Sequence, residues 1–221
     1  MRRIRPLAAS RRVYCAGPLF NDAERREMLA IAATLQAAGF DTFVPHDDGL
    51  EFAQVQPYLI EQGYEAWQVG QWVHEAVFAL DVYQVVVGCG PLVFNMNGRV
   101  PDEGAVAETA IAWTLGKPIV LFKEDARSFI VGRDNPLIAG MARFETIASM
   151  EQLPAAVSAA LDRCELAPEA EVPVPDTLAQ PLAAGNRLWQ LLQQQQAAHN
   201  VPAIAALVLE LFKDPTTDRG C

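Results

Sequence analysis

The stretch "DVYQVVVGCGPLVFNMNG", residues 81–98, holds two apolar runs separated by Gly88, Cys89, Gly90 and Pro91. β-Propensity alone assigns the strand to residues 83–87, where three valines stand in a row. The second run, residues 91–96, serves equally well. Both cannot be central parallel strands, because the four residues between them are far too few for a parallel crossover. The choice decides where the preceding helix ends and which side chains reach the edge of a sheet.

Upstream of this stretch, Ile60, Tyr64, Trp67, Val73, Val77 and Leu80 keep a helical stripe. They predict one long helix over residues 58 to about 80, preceded by a loop at 46–57. Earlier still, "RRVYCAGPLF" predicts a strand at 13–16 turned by Gly17 and Pro18. A helix follows, capped by Asn21 or Asp22 and stopped by Gly39, and "DTFVP" is a second strand. Downstream, "EGAVAETAIAWTLG" reads as a helix closed by Gly116 and "KPIVLF" as a strand. "RFETIAS" is a short strand, and "MEQLPAAVSAALDRC" a helix that tolerates Pro154 in its first turn. Strands alternating with helices define an α/β fold: a doubly wound parallel sheet of about five strands over residues 10–164. Such sheets bind ligands beyond the carboxyl ends of their strands. That gathers the loops at 17–20 and 97–104 and the segment after Phe122 around one cleft. Residues 165–176, "ELAPEAEVPVPD", are a linker too rich in proline and acid to pack regularly. A C-terminal helical extension at 177–214 follows, two helices joined at Asn200, Val201 and Pro202. A helical pair alone buries too little surface, so it is expected to pack on the core or on another subunit.

With 221 residues and 51% hydrophobic composition, the chain can bury one sizeable core and a small appendage. A net charge of −10 opposes binding to nucleic acid. "MRRIRPLAASRR" at the start is basic but lacks the apolar region of a secretory signal, and is expected to be frayed and solvated. The four cysteines show no paired spacing, so neither a disulfide framework nor a zinc site is indicated, and a cytoplasmic location fits. No apolar run is long enough to span a bilayer.

Gly17 sits where strand meets helix, yet no GxGxxG or GxxxxGK pattern surrounds it, and Pro18 removes a backbone donor. His46, His74 and His199 have no metal spacing; His46 reads as a loop histidine satisfied by its neighbours and His74 as a helix-surface residue. The acids are more informative. Asp102 precedes a helix and so can cap it, accepting from the backbone N–H of Gly104 or Ala105. Glu108 shares its helix face with apolar Ile111 and Ala112, which turns a carboxylate toward the sheet. A carboxylate there is costly unless paired or used. The helix N-terminus is expected to keep it ionised, as a nucleophile requires. Two carboxyl groups converging on a cleft suit cleavage of a glycosidic bond.

These residues resemble the nucleoside 2-deoxyribosyltransferases. "VYCAGPLF" is similar to that family's first strand and loop, "GRVPDEGAVAE" to its acidic signature, and "DNPLIAG" to its Asn-x-Met/Leu segment. The resemblance spans residues 12–141, with "PDEGxxxE" its specific part. It implies Glu108 as nucleophile, Asp102 as the acid that meets the nucleobase, and Asp81 as a further aspartate at the end of the helix before the third strand. Tyr14 would hold the carboxylate of Glu108. Gly17, Phe20 and Gly104 would line the substrate site, and Asn135 and Leu137 would contact sugar and base, from a neighbouring subunit in some members. If Asp81 ends that helix, residues 82–88 finish it and 92–96 is the central strand, against raw propensity. The implied activity is exchange of nucleobases on 2′-deoxynucleosides through a covalent glycosyl-glutamate, without metal or organic cofactor. A homo-oligomer with shared sites is implied as the assembly, and small molecules as the partners. Alternatives are a nucleoside or nucleoside 5′-monophosphate N-glycosidase, or a non-catalytic nucleotide-binding module. Many members carry methionine where Leu137 stands and lack the last fifty or so residues of this chain. The related hydrolases carry phosphate-binding serines where Asp102 stands; a carboxylate repels a 5′-phosphate, which favours free nucleosides.

Overall fold

A computed structural model of the chain describes residues 2–4, 10–50, 52–98, 100–125, 134–164, 171–194 and 200–213. In chain order its elements begin with β1 (Arg2–Ile4), β2 (Arg12–Ala16), α1 (Asp22–Ala37), β3 (Asp41–Phe43), α2 (Pro45–Asp48), α3 (Phe52–Glu61) and α4 (Ala66–Tyr83). There follow β4 (Leu92–Asn95), α5 (Glu103–Thr114), β5 (Ile119–Phe122), α6 (Pro136–Met141), β6 (Thr146–Ile147), α7 (Leu153–Asp162), β7 (Val172–Val174), α8 (Ala179–Gln194) and α9 (Val201–Phe212). They fall into two compact units, one of Met1–Asp48 with Gln84–Val174, the other of Gly49–Tyr83 with Pro175–Cys221.

The first unit is built on a five-stranded parallel sheet in the order β3-β2-β4-β5-β6. Counted within the sheet this is 2-1-3-4-5, the flavodoxin-like order, whose strand direction of travel reverses beside β2. The β-propensity of the valine run is overridden. Gln84–Gly88 forms a π-helical turn, with the Cys89 N–H reaching back to the Gln84 carbonyl at 2.9 Å. Gly88 is needed there because a Cβ would collide with the Gln84 side chain. The central strand is β4, all four of whose residues are buried, as are those of β5. Strands covered on both faces read as continuous apolar runs, which is why neither shows alternation. On one face Val13, Cys15, Val93, Val120 and Phe122 pack with Met28, Ile31 and Leu35 of α1 and Leu153 and Val157 of α7. On the other, α5 lies against β2, β4 and β5. Asn21 caps α1, its side chain accepting from the N–H groups of Ala23 and Glu24.

Three expectations are corrected in these elements. The basic N-terminus is not wholly frayed, since β1 pairs antiparallel with β7 through Arg2↔Val174 and Ile4↔Val172. By the same pairing, part of the proline- and acid-rich segment is a strand, Pro173 being tolerated at a sheet edge; residues 165–170 of it lie outside the described residues. The single helix expected from residue 58 is two, α3 starting already at Phe52 and α4 at Ala66, because Gly63 takes a left-handed φ of 90° between them. In the second unit α8 packs on α4 and α9 on α3 and α4. Gly185 makes the first contact possible, since a Cβ there would strike the Ala79 carbonyl oxygen.

Candidate active site

Tyr14 sits in the middle of β2, buried, its backbone N–H bonded to the Pro91 carbonyl at 2.9 Å. Its neighbours Val13 and Cys15 belong to the core under α1, so alternation along the strand sends the phenol to the opposite face. There it stacks on Phe43 of the adjacent strand at 5.5 Å between ring centroids. The hydroxyl donates to Oε1 of Glu108 at 2.8 Å, joining residues 94 apart in sequence.

The carboxylate arrives from α5. Asp102 is the N-cap of that helix, its Oδ1 accepting from the Ala105 N–H at 2.7 Å. A Cβ on Gly104 would come within 3.2 Å of that same oxygen, so glycine leaves the cap its place. Glu108 stands one and a half turns further on, where the partial charge of a helix end has largely fallen away. Burial therefore prevails over the helix dipole, and the expectation of a fully ionised acid is corrected. Its pKa is pushed up to about 7, chiefly by desolvation, with the Tyr14 hydrogen bond opposing the rise and the charge of Asp102 adding to it.

Other expected site residues lie as follows. Gly17 follows β2 at a place where a Cβ would be 2.7 Å from Met28 Sδ and 2.9 Å from Asn95 Cβ, so the loop passes too close to α1 and β4 for any side chain. Phe20 is 80% exposed, and its backbone N–H donates to Glu24. Asn135 caps α6, its Oδ1 accepting from the Leu137 N–H at 2.9 Å, and Leu137 is 81% exposed. The structure brings Tyr14, Glu108 and Asp102 together; Phe20, Asn135 and Leu137 are turned to solvent. Asp81 is half-buried near the end of α4, in the second unit. His46, expected to be satisfied, has its Nδ1 buried without a partner, and burial lowers its pKa. Among the described residues no group of His, Cys, Asp or Glu is placed to hold a metal ion.

One feature escapes sequence reading. The Glu27 carboxylate accepts from Asn95 Nδ2 at 3.0 Å and Asn97 Nδ2 at 2.6 Å, while Asn97 Oδ1 accepts from the N–H groups of Glu124 and Asp125. This network ties α1 to the carboxyl ends of β4 and β5. Glu24, Glu27, Asn97, Glu124 and Asp125 line a cavity of about 380 Å³ there, whose ionisable groups among the described residues are all carboxylates. The only sequence signal is the pair of asparagines that interrupts the apolar run "LVFNMN".

A family model described as nucleoside 2-deoxyribosyltransferase matches residues 13–164. The chain belongs to that family. The nucleoside 2-deoxyribosyltransferase match contains Tyr14, Asp81, Asp102, Glu108 and Asn135, and stops short of β7 and the tail helices. Membership carries a glycosyltransferase type of activity and small nucleoside-like substrates at the level of the family. A solved structure titled as a conserved protein from Enterococcus faecalis V583 is similar at 18% identity and a TM-score of 0.48, covering 67% of this chain and 97% of that one. No curated protein matches the sequence. Among the described residues no helix is long and apolar enough to cross a membrane.

Proposed function

We propose that the protein exchanges nucleobases on 2′-deoxynucleosides through a glycosyl ester on Glu108. The observation that carries this is the hydrogen bond from the buried Tyr14 hydroxyl to Glu108 Oε1, which fixes one carboxylate oxygen and leaves Oε2 to attack. In the first half-reaction Oε2 bonds to C1′ as the bond from C1′ to the base nitrogen breaks. Oδ2 of Asp102, the oxygen not engaged in capping, relays a proton from solvent to the departing base. In the second, a nitrogen of an incoming base attacks C1′, the ester bond breaks to restore the carboxylate, and the base's proton leaves by the same relay. A pKa near 7 makes Glu108 about half ionised at neutral pH, and partial burial leaves that carboxylate poorly hydrated and reactive. Phe20, Asn135 and Leu137 are the remaining candidates for holding base and sugar, with the last two serving a neighbouring copy because they are turned to solvent in their own. The acidic lining at the carboxyl end of the sheet supports substrates without a 5′-phosphate.

The test is incubation of the full chain with a 2′-deoxynucleoside and an excess of a second base, with products separated by chromatography. The exchanged nucleoside is expected from the wild type and not from Glu108→Ala. Free deoxyribose as the sole sugar product would make the protein an N-glycosidase instead.

A further inference from the structure

At the opposite end of the sheet, Trp113, Lys117, Met141, Arg143 and Arg163 contribute to a cavity of about 400 Å³. They come from the ends of α5, α6 and α7 and the approach to β5, all within the first unit. Three of the seventeen lysines and arginines of this acidic chain line it, and among the described residues no carboxylate does. The volume lies within the range of small-molecule sites and would hold a mononucleotide.

Cations after helix C-termini offset the helix dipole, and that alone accounts for Arg163, the C-cap of α7, which also pairs with Glu145 at 3.1 Å. Arg143 stands at the end of α6, where it and Phe144 hold left-handed backbone, with φ of 56° and 64°. That turn closes the helix, the Arg143 N–H bonding to the Gly140 carbonyl at 3.1 Å and the Phe144 N–H to the Ala139 carbonyl at 2.7 Å. The Arg143 guanidinium makes no hydrogen bond or ion pair among the described residues. Lys117 is buried and donates to the Cys89 carbonyl at 2.6 Å, so it supplies charge to the cavity while its donor is occupied. Trp113, 54% exposed, offers a flat apolar face.

From this juxtaposition we infer that the cavity is a second binding site, for a mononucleotide, with Arg143 forking onto the phosphate and Trp113 stacking on the base. An uncommitted guanidinium matches a phosphate bidentately, and an indole accepts any base face. Three half-charges of helix C-termini reduce the positive field here, so the phosphate contact falls to Arg143 and the ring contact to Trp113.

Calorimetric titration of the full chain tests this with 2′-deoxyadenosine 5′-monophosphate, 2′-deoxyadenosine and inorganic phosphate. The monophosphate is expected to bind at least about tenfold more tightly than either fragment. Arg143→Asn, which keeps a residue tolerant of left-handed backbone, and Trp113→Ala should each weaken it about tenfold or more, while Glu108→Gln leaves it unchanged. No saturable binding at millimolar ligand would overturn the inference. So would binding that survives both cavity variants, binding lost in Glu108→Gln, or sedimentation showing that a second copy of the chain fills the cavity.

Discussion

The two ends of one sheet carry opposite chemistry. At the carboxyl end stand Asp102, Glu108 and the carboxylate-lined cavity of Glu24, Glu27, Glu124 and Asp125; at the amino end stand Lys117, Arg143 and Arg163 beside Trp113. Helix α5 spans the two, with Glu108 only five residues from Trp113, about 7.5 Å of helix rise. The strands present their loops to a ligand at one end, whereas at the other the helices end and gather cations. A net charge of −10 describes neither end, and the distribution decides which ligand each can take. We propose neutral, sugar-bearing molecules for the first, and anions with a flat ring for the second.

The comparison is broken most severely by removing the nucleophile. Glu108→Ala should lower base exchange by about 10³-fold or more, leaving monophosphate binding at the amino end intact. Tyr14→Phe should cost about 10- to 100-fold in kcat, because the carboxylate loses the donor that orients it. The variant should also shift the pH profile. In the wild type kcat/KM should rise with pH and level off above about 7, as Glu108 ionises; without the phenol, which lowers that pKa, the midpoint moves upward. Stability should follow the same group with the opposite preference. A carboxyl whose folded-state pKa is raised binds its proton more tightly folded than unfolded, so stability is lost as pH rises from the ordinary glutamate value of 4.5 through about 7. Glu108→Gln should therefore be more stable than the wild type at pH 8, on the order of 1–3 kcal/mol, and no more stable at pH 4. Thermal unfolding at the two pH values checks the sign. The smallest effect is about tenfold in monophosphate binding for Arg143→Asn, which sharpens the contrast between the ends without touching exchange.

How far this molecule was legible in its sequence differs by region. The sheet was, because its strands lie in apolar runs bounded by glycine and proline, and α1 carries its cap and stop at Asn21 and Gly39. The valine run of residues 85–87 was readable as helix only through the family resemblance, which sets Asp81 at the end of the helix before the third strand. Local propensity favours a strand, and only tertiary packing makes the π turn. The break between α3 and α4 was hidden because the apolar stripe continues across Gly63, whose backbone angle no periodicity reports. Glu108 could be placed on an inward helix face, but its ionisation could not, since burial and dipole compete and only coordinates weigh them. The Glu27 network joins residues about 70 positions apart, and the basic cavity takes one cation from the end of each of three helices. Neither leaves a local pattern.

The most direct test is the intact mass of the full chain after incubation with a 2′-deoxynucleoside and no acceptor base, followed by peptide mapping. A gain of one deoxyribosyl group on the peptide that contains Glu108, absent in Glu108→Gln and discharged by added base, is the predicted result. Unmodified mass under conditions where base exchange proceeds, or an adduct that persists in Glu108→Gln, would contradict it.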